Sequence, residues 1–195
     1  MVAASGQVLR NWDAESLQKL FEQNFVILDG DALWTLLDMG LGHLAGVEGA
    51  RWLMQDSGAC AYEQAEEGRV YAGRTGARAS AMIFSSDVLD VAYLPDARVE
   101  GYTAFYDSFR RRAARGQTVV NGRVLVYPFG HFGTGVPPML LNRVRQEILQ
   151  DVLDSAGFDV PMVRGLACLA PYCFRSGDAT ALYLINASSD PAEDV

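Results

Sequence analysis

The stretch FVILDGDALWTLLDMGLGHLAGV, residues 25–47, passes from an apolar run, Phe25 to Leu28, through Asp29-Gly30-Asp31 into a segment with Leu33, Leu36, Leu37 and Leu41 at helical spacing. The short run reads as a core strand and the segment from Ala32 to Leu44 as a helix, with Asp31 as its N-cap and Asp29 accepting N–H bonds in the turn. Gly46 suits the left-handed position beyond a helix end. Upstream, Asp13 or Ser16 can cap a helix that carries Leu17, Leu20 and Phe21 on one face. A helix, strand, helix order requires a sheet against which both helices bury their apolar stripes.

Working outward, residues 1–11 show no periodicity. From about 52 to 127 the texture becomes β-rich, with Gly, Asp and Pro between short runs, and Asn121-Gly122 in VVNGRVLVYPF favours a two-residue hairpin turn. A helix is expected from Leu141 to Ala156, with Val144, Ile148, Leu149 and Val152 inward and Arg143, Glu147 and Asp151 on a polar side tolerant of change. LACLAPYCFRSGDATALYLINASSDP reads as two strands around Ser176-Gly177-Asp178. The last strand has few partners left, so an open edge and a chain cut from something longer are expected. The expected class is α/β, or a mixed α+β arrangement: a sheet flanked by helices, with a β-rich insertion and a C-terminal β-hairpin.

Half of the 195 residues are hydrophobic and 21% charged, which suits a soluble globular protein, and no run approaches a membrane-spanning length. The net charge of −8 argues against nucleic acid as a partner. The dense basic run Arg110-Arg111-Arg112 with Arg115 reads as a solvated helix end or loop. Cys60, Cys168 and Cys173 have neither the number nor the spacing of a disulfide framework or zinc site, and without a signal peptide a cytoplasmic setting is expected.

An aspartate pair where a strand turns into a helix is the arrangement of phosphoryl-transfer enzymes of the haloacid dehalogenase type, which would make Asp29 and Asp31 nucleophile and acid/base with a metal ion. That chemistry also needs a downstream Lys, and the single Lys is Lys19; Ala-Leu-Trp follows Asp31 where a phosphate-binding hydroxyl is required. Cys60 in SGACAYEQ could be a glutaminase nucleophile, but His131 is followed by Phe132-Gly133 and lacks the partner carboxylate, so a structural thiol is expected. The loop YPFGHFGTGVPP, with Gly130, Gly133 and Gly135, does not have dinucleotide or P-loop spacing. Trp34, Tyr127, Phe129, His131 and Phe132 are the candidate ligand-binding residues, as aromatic groups able to touch a sugar or a partner chain. Glu63, Glu66, Glu67, Asp87 and Asp90 receive no role. No catalytic residue, metal site or cofactor is expected.

Three segments together, the opening stretch, GRVLVYPFG followed by LLNRVRQEILQDVLDSAG, and CFRSGDATALYLINASSDPAEDV, resemble the later part of bacterial proteins related to the β-galactosidases of glycoside hydrolase family 42. In that family a catalytic barrel is followed by an amidotransferase-like trimerisation domain and a small β-sandwich. The resemblance implies that residues 1–157 are the C-terminal part of the amidotransferase-like domain and 158–195 the start of the sandwich. It further implies a non-catalytic region that packs against its own catalytic domain or other subunits and shapes the rim of a sugar site. The family's catalytic glutamates lie on the barrel, and no residue here inherits that role. Two rival classes are a small metal-dependent hydrolase using Asp29 and Asp31, and a carbohydrate-binding module.

Overall fold

The computed structural model describes residues 1–53, 60–80, 88–130, 143–158 and 169–186. The chain opens with a strand, β1 (Val2–Ala4), and a 3₁₀ turn at Val8–Asn11 whose Leu9 is buried. Both lie where the sequence shows no periodicity, because three strand residues and one inward leucine are too few to define a period. Helix α1 (Ala14–Gln23) is capped by Asp13, whose carboxylate accepts from Ser16 N at 2.7 Å. Strand β2 (Val26–Leu28) and helix α2 (Gly30–Asp38) follow. The helix begins two residues before Ala32 and stops short of Leu44; a separate 3₁₀ turn, Gly42–Ala45, carries the remainder, and Gly46 is left-handed at φ 68°.

The β-rich region begins with β3 (Val47–Leu53), β4 (Tyr62–Ala65), β5 (Val70–Tyr71), β6 (Arg74–Thr75) and β7 (Arg78–Ser80). It continues with β8 (Val88–Tyr93), β9 (Val99–Gly101), β10 (Thr103–Tyr106), β11 (Arg112–Arg115), β12 (Thr118–Val120) and β13 (Val124–Val126). Helix α3 (Arg143–Ser155) and the antiparallel pair β14 (Leu169–Ser176) and β15 (Ala179–Asn186) are the remaining described elements. Of the basic run, Arg110 and Arg111 lie in a loop, one of the two expected settings, whereas Arg112 and Arg115 lie on β11, with Arg112 paired to Glu66.

A central five-stranded sheet has the order β1-β2-β13-β12-β9, with β1, β2 and β13 parallel and the other two antiparallel to their neighbours. Asn121 and Gly122 both adopt positive φ, and Arg123 N donates to Val120 O at 3.0 Å, the geometry that an Asn-Gly hairpin turn favours. The ladder resumes with Val124 opposite Val120, so Arg123 stays out of register and its carbonyl instead accepts from Val26 N of β2.

Alternation along these strands sorts the core into two layers. Val26, Leu28, Val120, Val124 and Val126 meet Leu17, Leu20 and Phe21 of α1 and Leu33 and Leu36 of α2. Phe25, Val119, Leu125 and Tyr127 face the other way, toward Val144, Ile148 and Val152 of α3. A second, antiparallel sheet of order β11-β10-β4-β7 joins that layer through Ala65, Ala79, Phe105 and Ala114. The fold is mixed α+β and rich in strands. Among the described residues no helix is long and apolar enough to cross a membrane.

The polar side of α3 is not simply solvated. Asp151 accepts from Tyr71 OH at 2.7 Å and from Arg69 Nη1 at 3.3 Å, and Glu147 accepts from Ala72 N as well as from Arg143. The small β5–β6 hairpin therefore docks on carboxylates that helical periodicity alone assigns to water.

Candidate functional site

Because β1, β2 and β13 are parallel, their carboxyl ends share one edge of the sheet, the place where open α/β sheets hold ligands. Asp29 leaves β2 there and caps α2: its Oδ1 accepts from Ala32 N at 2.7 Å. The cap is thus Asp29, and Asp31 sits half-buried in the first turn, the reverse of the expected division of labour. The reason is a close approach: Gly30 N donates to Phe129 O at 2.8 Å, and a Cβ on Gly30 would lie 3.0 Å from that carbonyl and from the Trp52 ring. The chain can start the helix at this contact only with glycine in it.

Asp29 also reaches β1. Gly6 N donates to it at 3.2 Å, and Ser5 Oγ donates to Oδ2. Its side chain is buried, and burial raises its pKa above the ordinary carboxyl value, with the bonds from Ser5, Ala32 and Gly6 opposing the rise. No cation among the described residues pairs with it. Beside it lies a cavity of about 200 Å³ with walls from Ala3, Ala4, Ile27 and Leu149, and with Ser5, Asp29 and Tyr127 as its polar members.

The described candidates Trp34, Tyr127 and Phe129 do not gather into one surface. Tyr127 lines this cavity and is buried; its hydroxyl is raised in pKa by burial and by Glu63, against the pull of Arg145. Phe129 is enclosed, edge-on to Phe105 at 5.3 Å between centroids. Trp34 is 41% exposed on α2 and lies 5.9 Å from Trp52. His131 and Phe132 lie outside the described residues. Cys60 is half-buried, and burial with the charge of Asp90 pushes its thiol up to about 11, which keeps it protonated at neutral pH. Among the described residues no cluster of His, Cys, Asp or Glu is arranged to hold a metal.

A fully enclosed carboxylate had no mark in the sequence. Glu63 of β4, given no role above, accepts from Arg145 of α3 through Nε at 2.8 Å and Nη2 at 2.6 Å. Its other oxygen accepts from Thr103 Oγ1 at 2.6 Å and Gln117 Nε2 at 2.9 Å, and Arg145 lies 4.5 Å above the Phe129 ring. One signal was legible: Arg145 shares the i, i+3, i+7 stripe of Ile148 and Val152, so helical geometry points it inward. The partner 82 residues away carries no comparable mark.

These arrangements hold the second sheet to α3 through the Glu63–Arg145 pair, and α2 to the end of β1 through bonds from neutral donors to Asp29. No family model, curated protein or solved structure matches this chain. A functional reading therefore rests on the residues and their geometry. In the β14–β15 hairpin, Tyr172, Phe174, Tyr183 and Ile185 lie on one face and Leu182 and Leu184 on the other, each between 42% and 60% exposed.

Proposed function

We propose that the chain is a non-catalytic accessory region of a glycoside-hydrolase-like protein, working by packing against its own catalytic domain or against other subunits. The β14–β15 hairpin carries the reading. A two-stranded hairpin is marginal in water, and one with apolar side chains on both faces has the composition of a strand pair covered on both sides. Soluble monomers seldom leave such a patch open. Support also comes from Glu63 and Arg145, whose charged atoms are engaged with each other in holding elements together. In this reading the central sheet with its helices corresponds to the amidotransferase-like layer, the hairpin begins a β-sandwich, and the free thiols Cys60 and Cys173 suit a cytoplasmic setting.

Light scattering over a wide concentration range tests the proposal. The chain is expected to form dimers or trimers, and the double variant Phe174→Ser with Tyr183→Ser is expected to stay monomeric with the same helical circular dichroism. A parent chain that remains a cooperatively folding monomer at the highest concentration rejects it. A second reading, contact with a sugar, is favoured by one observation only, the exposed Trp34 beside Trp52. Quenching of tryptophan fluorescence by galactose, lost in Trp34→Ala, would support it.

A further inference from the structure

We infer that the cavity at the carboxyl ends of β1 and β2 is a binding site for a small primary amine with a compact apolar body. The inference does not depend on how the chain assembles. Its first ground is shape and lining: a cavity of about 150 Å³ can hold benzene, and this one, at about 200 Å³, leaves room for a ring bearing one short substituent. Ala3, Ala4, Ile27 and Leu149 offer nothing to a ligand with many hydroxyls, so a sugar would leave its polar groups unpaired there.

The second ground is charge. Asp29 is 3% exposed, lines the cavity, and has no cationic partner among the described residues. Its bonds from Ser5 Oγ, Gly6 N and Ala32 N are all from neutral donors, and the N-terminus of α2 supplies only roughly half an elementary charge. A buried carboxylate is stable when a cation shares its site. An ammonium held in the cavity would donate to Asp29 while its apolar body lay against Ile27 and Leu149. A neutral alcohol of the same size would fill the same space without balancing the charge.

Benzylamine and benzyl alcohol separate these contributions in calorimetry and thermal unfolding of the full chain. Benzylamine is expected to bind saturably and at least about tenfold more tightly than benzyl alcohol, the difference a hydrogen bond to a charged group makes. Asp29→Asn, which keeps a capping oxygen, should stay folded and lose the preference for the amine. Leu149→Phe should block both ligands by filling the cavity, and Ala3→Leu, at an exposed position, serves the same end if the first variant unfolds. Equal or tighter binding of the alcohol, amine binding that survives a filled cavity, or no saturable binding of benzylamine would overturn the inference.

Discussion

At the scale of single residues, Asp29 carries two opposed contributions. As the cap of α2 it satisfies Ala32 N, and as a buried charge it is disfavoured by lost solvation. The pair of variants Asp29→Asn and Asp29→Ala separates them: at neutral pH the asparagine form should be about 0.5 to 2 kcal/mol more stable than the alanine form in urea denaturation, the usual worth of a capping oxygen. The pH dependence has a definite sign. A carboxyl whose folded pKa lies above its ordinary 3.8 binds more protons folded than unfolded in the window between the two values, so stability is highest below 3.8 and declines as pH rises through the folded value. The parent chain should therefore lose stability relative to Asp29→Asn as pH is raised from below 4. A difference that stays flat across that range would show that the carboxylate is solvated.

At the scale of elements, α3 is the piece that joins the central sheet to the second sheet. Ile148 is fully buried between the central sheet and the second sheet, and Ile148→Ala should lower stability by about 2 to 5 kcal/mol, as large-to-small core changes do. Arg145 tests a different bond on the same face. Removing it leaves Glu63 charged and enclosed, with Thr103 and Gln117 as its remaining donors among the described residues, so Arg145→Leu should cost about 3 to 5 kcal/mol. Glu63→Gln combined with Arg145→Leu should be less unstable than Arg145→Leu alone, because the stranded charge is gone. Urea midpoints of the three variants decide this, and a double variant as unstable as the sum of its parts would argue against a coupled pair.

At the scale of the whole molecule, the question is what covers β14 and β15. Cys173 sits near the middle of the hairpin and is exposed, whereas Cys60 is half-buried with a thiol pushed up to about 11. In dilute solution Cys173 should alkylate well before Cys60 at pH 8. If the hairpin is the surface by which copies or domains meet, Cys173 should become protected as concentration rises while Cys60 stays slow throughout, as read by peptide mass mapping. Labelling of Cys173 at one rate over a hundredfold range of concentration would move the contact elsewhere.

What the sequence determined by itself lies within reach of a few residues. The apolar run before Asp29, a cap at Asp13 or Ser16, of which the structure uses Asp13, the turn at Asn121-Gly122, the inward stripe of Val144, Ile148 and Val152, and the strands around Gly177-Asp178 follow from periodicities and capping bonds that act over two to four positions. The helix α2 was legible, but not which aspartate caps it, because that was decided by the passage of Phe129 O against Gly30. Tertiary structure alone brought Glu63 to Arg145, enclosed Phe129 beneath that guanidinium, and set the β5–β6 hairpin on the polar side of α3. It also joined Ser5 to Asp29 across 24 residues and opened the cavity beside them. Each of these depends on which strands pair and in what register, and pairing between distant segments leaves no periodic mark in the chain that makes it.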